Sequence, residues 1–118
     1  MPDTLVDLLE RASHPEGGLR FVDRAERDLW AGWPEVRERA LAVCGGLRDL
    51  GIERGERVAL VFPTGLELIE ALFGTLLAGA VPVPLYPPVR LGRLDEYLRR
   101  TARMLAVSGA RLVLADAR

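Results

Sequence analysis

The chain contains no lysine. All sixteen basic residues among its 118 are arginines, so no ammonium is available to form a Schiff base, accept an acyl group or meet a phosphate as a point charge. Cys44 is the single cysteine, which excludes an internal disulfide and any CxxC metal site. Neither sign of charge dominates. The net charge of −1 gives no basic field to draw nucleic acid. The longest uncharged stretch, Ala71 to Val89, is broken by Gly74, Gly79, Pro82, Pro84, Pro87 and Pro88, which argues against a membrane-spanning helix. The N-terminal MPDTLVDLLERA is acidic and amphipathic, unlike a signal peptide. A soluble, cytoplasmic chain is expected, with no membrane span and no nucleic-acid partner.

What is present describes an ordinary globular segment. The hydrophobic fraction of 49% and charged fraction of 28% suffice for a core at this length. Thr4 and Asp7 have the spacing of a capping box, and Leu5, Leu8, Leu9 and Ala12 then share one helical face. The turn residues His14 to Gly18 close that helix. Leu19–Val22 and Leu29–Ala31 read as a small hairpin, completing a first unit over 4–31. Pro34 opens a helix over 34–50, with Val36, Ala40, Val43, Cys44, Leu47 and Leu50 on one face and Gly51 as its stop.

The segment 57–86 reads as strand–helix–strand. RVALVF, Arg57 to Phe62, is apolar enough to be buried on both faces. Thr64 and Glu67 suggest a second capping box, opening an almost wholly apolar helix from about Gly65 to Ala78. Val81–Tyr86 follows as a strand. The short connections require parallel strands with a right-handed crossover. Pro82 and Pro84 cannot donate to a ladder, which points to an edge strand or an irregular one, and Pro87-Pro88 forces an extended exit. After a basic loop, Arg90–Arg93, the segment 94–115 reads as helix then strand. Its helical face is Leu94, Tyr97, Leu98, Thr101, Met104, Leu105 and Ser108, and RLVLA at Arg111–Ala115 is a third parallel strand. The expected fold is α/β, a parallel sheet with covering helices and a small N-terminal β-hairpin.

The candidate sites are weighed against plainer roles. Cys44 as a nucleophile is set against a core thiol, and its place in the apolar stripe favours the core. His14 as a base is set against a solvated turn residue beside Pro15. Gly45-Gly46 falls inside a helix, so close packing is a better reading than a phosphate cradle. The helix start after Phe62 is a weak anion site because Glu67 repels phosphate. Arg99, Arg100 and Arg103 as a carrier-protein contact are set against a solvated helix face. Trp30 and Trp33 are expected to anchor the hairpin to the following helix. No catalytic, cofactor-binding or metal-binding residue is assigned.

Two motifs then carry a resemblance. GWPEV, Gly32 to Val36, lies where adenylate-forming (AMP-binding) enzymes usually have Thr-Tyr-x-Glu-Leu. LLAGAVPVPLYPP, Leu76 to Pro88, lies where they have an Ala-Gly, then Val-Pro, pattern. Essentially the whole chain resembles the N-terminal region of that superfamily, which includes acyl-CoA synthetases, peptide adenylation domains and fatty acyl-AMP ligases. Gly32 and Trp33 depart from the usual Thr and Tyr at positions concerned with packing. Pro87-Pro88, the Arg-Leu-Gly-Arg loop and SGARLVLAD look most like fatty acyl-AMP ligases.

The resemblance implies a parent that joins a carboxylic acid, of fatty type, to AMP at the expense of ATP with Mg2+. The acyl group then passes to a thiol of an acyl carrier protein or coenzyme A. It also implies that the phosphate loop, the metal-binding glutamate and the catalytic lysine belong to the remainder of the polypeptide. ATP and Mg2+ are thus expected for the full-length parent and none for this segment, which alone is expected to be inactive. A second class stays open at this point: a self-contained, non-enzymatic α/β binding or interaction domain. A fragment should expose a large apolar patch and self-associate; a finished domain should not.

Overall fold

The computed structural model describes residues 4–12, 17–22, 25–85 and 94–115. His14, Tyr86, the Pro87-Pro88 exit and the Arg90–Arg93 loop lie outside the described residues. Helix α1 spans Leu5–Ala12 and opens with the expected capping box. Thr4 N–H donates to Asp7 Oδ2 (3.2 Å) and Asp7 N–H donates to Thr4 Oγ1 (3.0 Å). Only Leu9 of its apolar face is buried, joining Ala31 and Val36; Leu5 and Leu8 stay about half exposed. The predicted face is therefore too wide. This short helix reaches the Ala31–Val36 cluster at a single position.

Strands β1 (Gly18–Val22) and β2 (Asp28–Gly32) pair antiparallel with Leu19 opposite Ala31, as the hairpin reading expects. Helix α2, Trp33–Asp49, carries Pro34 in its first turn, where a missing N–H costs nothing. It ends at Gly51, whose φ of 86° few other residues adopt without strain. Gly51 N–H donates to the Arg48 carbonyl and Ile52 N–H to the Leu47 carbonyl, the paired bonds of a Schellman stop. Leu50, expected on the buried face, is the C-cap just past the last helical residue and is 66% exposed.

Strands β3 (Arg57–Val61), β4 (Val81–Leu85) and β5 (Leu112–Ala115) form one parallel sheet in the order β4-β3-β5. Helix α3, Leu66–Leu77, connects β3 to β4; helix α4, Leu94–Ser108, precedes β5. Val58, Ala59 and Leu60 of the central strand have no exposed surface, matching the double burial read from RVALVF. Val58 and Leu60 join Cys44, Leu47, Ile52 and Ala71 in the main core.

Among the described strands β4 is an edge, and its prolines face outward. Val81 N–H donates to the Glu56 carbonyl (2.8 Å), so alternation turns the N–H groups of Val83 and Leu85 toward β3 as well. Pro82 and Pro84 occupy the outward positions, where a missing donor breaks no ladder bond. On the opposite flank Arg111 N–H donates to the Arg57 carbonyl (2.8 Å), which leaves the N–H groups of Leu112 and Leu114 directed away from β3.

Three further expectations need correction. The capping box at Thr64 does not form: Gly65 is the N-cap, with no side-chain capping bond, so Thr64 lies one residue outside the helix and Glu67 is no longer its third residue. Gly45 and Gly46 are not packing glycines, since a Cβ at either would meet nothing within 4 Å. Close approach of α2 and α3 occurs instead at Gly74, where a Cβ would stand 2.5 Å from Val43 Cβ and 2.9 Å from the Ala40 carbonyl oxygen. The face predicted for α4 is also split. Tyr97, Thr101, Leu105 and Ser108 are half-buried, while Leu98 and Met104 remain about half exposed. No described helix is long and apolar enough to cross a membrane.

Candidate functional site

The parallel sheet places the carboxyl ends of β3 and β5 together, the end at which open α/β sheets usually build sites. A groove of about 400 Å³ lies there. Phe62, just past β3, and Leu114 of β5 form its floor; Val43, Leu47 and Leu50 of the α2 end form one wall; Glu67, Glu70 and Ala71 of α3 form the other. The walls are apolar except for the two carboxylates.

Glu70 is the unusual member. Only 9% of it is exposed, and among the described residues its Oε2 is the one buried side-chain oxygen or nitrogen without a hydrogen bond. Arg39 Nε stands 3.5 Å from that oxygen, an ion pair without hydrogen-bond geometry, and also 3.4 Å from Glu35 Oε1. Burial pushes the Glu70 carboxyl above its ordinary range; Arg39 opposes the shift, and Glu67 and Glu35 reinforce it. A smaller hollow of about 300 Å³ adjoins Glu70 on the hairpin side, bounded by Leu29, Arg39 and Pro63. A third, of about 380 Å³, lies between Val83 and Leu85 of β4 and Met104 and Val107 of α4.

Of the described residues singled out from sequence, none meets another in a catalytic arrangement. Cys44 is buried among Leu47, Val58 and Leu60, as a core thiol would be. Arg99, Arg100 and Arg103 are exposed, and Arg100 Nη2 pairs with Glu96 Oε1 one turn back (2.8 Å). Trp33 does join the hairpin to the helices: its N–H donates to the Gly17 carbonyl (3.0 Å) and its ring meets Phe73 edge-on at 6.5 Å. Trp30 does not. It is half exposed across the hairpin, with the Arg20 guanidinium 5.9 Å from its ring centre. Sequence reasoning passed over Glu70. The available signal was a second carboxylate, one turn after Glu67, in an otherwise apolar helix, the last charge before the uncharged run.

These residues do not fit a nucleotide triphosphate or its magnesium. Among the described residues no three His, Cys, Asp or Glu side chains converge as metal ligands. The start of α3 presents Glu67 in its first turn, which repels phosphate, and the chain offers no lysine.

A family model described as AMP-binding enzyme matches residues 9–118. The chain belongs to the AMP-binding enzyme family. It is 36% identical over 117 residues to the medium-chain-fatty-acid–[acyl-carrier-protein] ligase JamA of Moorena producens, covering 96% of this chain and 19% of that protein. It is 38% identical over 100 residues to the salicyl-AMP ligase / salicyl-S-ArCP synthetase of Mycobacterium tuberculosis, covering 83% of this chain and 17% of that protein. A solved structure from work on fatty acyl-adenylate ligases of E. coli and L. pneumophila superposes with a TM-score of 0.91 at 31% identity, over 97% of this chain and 21% of that one. The chain thus spans about a fifth of the length of these AMP-binding relatives. The α/β fold with its parallel sheet and antiparallel hairpin is the one expected for this family.

Proposed function

We propose that this chain is the opening scaffold of an acyl-activating ligase acting on a fatty acid. In the complete reaction a carboxylate oxygen attacks the α-phosphorus of ATP, and the bond to pyrophosphate breaks, leaving acyl-AMP. A thiolate, of an acyl carrier protein or coenzyme A, then attacks the acyl carbon and AMP departs. The groups that bind ATP and Mg2+ belong to the remainder of the polypeptide, because the residues of this segment do not suit them. The parent works in the cytoplasm, where ATP and both thiols are available.

The observation that carries this reading is likeness over nearly the entire chain to ligases of one chemistry, in sequence (36% identity) and in fold (TM-score 0.91). The core supports the scaffold role. The middle of β3, Val58 to Leu60, is fully buried between two parallel neighbours, and α2 and α3 meet closely at Gly74, as a packed supporting layer would. The test is carboxylate-dependent exchange of labelled pyrophosphate into ATP. The full-length parent should catalyse it with a fatty acid, and the 118-residue chain should not. No exchange with any fatty acid would remove the ligase reading. Exchange by the 118-residue chain alone would remove the scaffold reading.

A further inference from the structure

The groove at the carboxyl ends of β3 and β5 joins two features that rarely occur together. Its floor and one wall are open apolar surface, with Leu50 66% exposed at the rim. Its other wall holds Glu70, nearly enclosed, with one carboxylate oxygen lacking a hydrogen bond. A buried carboxylate without a donor is costly and normally acquires one. Arg39 does not serve: it is shared between Glu35 and Glu70, is more than half exposed, and approaches Glu70 outside hydrogen-bond geometry. Glu67 adds a second negative charge beside the groove.

We propose that this groove seats an apolar segment of the parent polypeptide that carries one basic side chain, which donates to Glu70 Oε2. The proposal rests on the reading of the chain as part of a longer ligase. Three observations select this occupant. The walls require apolar side chains. The two carboxylates require a cation, which disfavours a fatty acid, whose carboxylate they would repel. The relatives run to about five times the length of this chain, which supplies polypeptide to fill the groove.

Two measurements on the full-length parent and on the 118-residue chain test it. With Leu50→Cys, maleimide labelling at position 50, followed by peptide mass spectrometry, should be about tenfold slower or more in the parent, as for a side chain that becomes enclosed. Equal rates overturn the proposal. So does slow labelling in the 118-residue chain that tracks its concentration and a dimer mass, because the occupant is then a second copy. With Glu70→Gln, the melting temperature should fall in the parent, where a charged pair is lost, and rise in the 118-residue chain, where an unpaired charge is relieved. A rise in both shows that no basic donor arrives and overturns the proposal. Pyrophosphate exchange by the unmodified parent is read separately. Exchange without protection of position 50 sinks only the groove, and protection without exchange sinks only the ligase.

Discussion

Gly74→Ala is the most informative single change to the scaffold. A Cβ at this position would stand 2.5 Å from both Cβ and Cγ1 of Val43 and 2.9 Å from the Ala40 carbonyl oxygen. Ordinary contacts of this kind are a full ångström longer, so α2 and α3 must part. Overpacking of this severity costs about 3 kcal/mol. Replacing glycine by alanine inside a helix returns about 1 kcal/mol of propensity. The net expectation is a loss of about 2 kcal/mol, or a fall of about 8 °C in melting temperature for a chain of this size. Val43→Ala should not rescue it, because it removes Cγ1 but leaves the Val43 Cβ and the Ala40 carbonyl in place. Urea unfolding followed by circular dichroism measures the change. A Gly74→Ala variant as stable as the parent sequence, or more stable, would show that the helices are not in contact there.

Three further outcomes are expected. Glu70 has a native pKa raised by burial, so its neutral form is favoured on folding; its contribution is fully present below the unfolded pKa and is lost as pH rises through the native one. In the 118-residue chain the stability advantage of Glu70→Gln should therefore grow from acid toward neutral pH in paired thermal melts, and a difference constant with pH would refute the assignment. Gly45→Ala and Gly46→Ala, at open helical positions, should each stabilise by up to about 1 kcal/mol in urea titrations, whereas Gly51→Ala, with φ at 86°, should destabilise by about 1 kcal/mol. Thr4→Ala should cost about 1 kcal/mol by loss of its cap, and Thr64→Ala should be close to neutral in the same assay, because Thr64 caps nothing.

The sheet was legible because its signals are local and strong. RVALVF has no polar residue between Arg57 and Phe62, and the spacing to the Val81 strand leaves room for one helix and little else. The stop at Gly51 and the cap at Thr4 were legible for the same reason: each depends on residues three to five apart. Most of what failed depended on distant partners. Gly74 and Gly45-Gly46 look alike as small residues in helices, and only the position of α2 against α3 decides which of them is crowded. Thr64 and Glu67 match a capping box in spacing, but Gly65 took the cap position. Glu70 carries no motif. Its burial arises from the packing of α2, α3 and the strand ends around it, which no periodicity records.

The outward prolines of β4 also bear on how the sheet is made. Strands leave the ribosome in the order β3, β4, β5. Once β4 has docked, Pro82 and Pro84 seal its flank against any stray strand, so only the β3 side stays adhesive until β5 arrives. Afterwards the adhesive side is that of Leu112 and Leu114. From the docking of β4 onward, the growing layer therefore presents one donor-bearing flank at a time to a neighbouring chain.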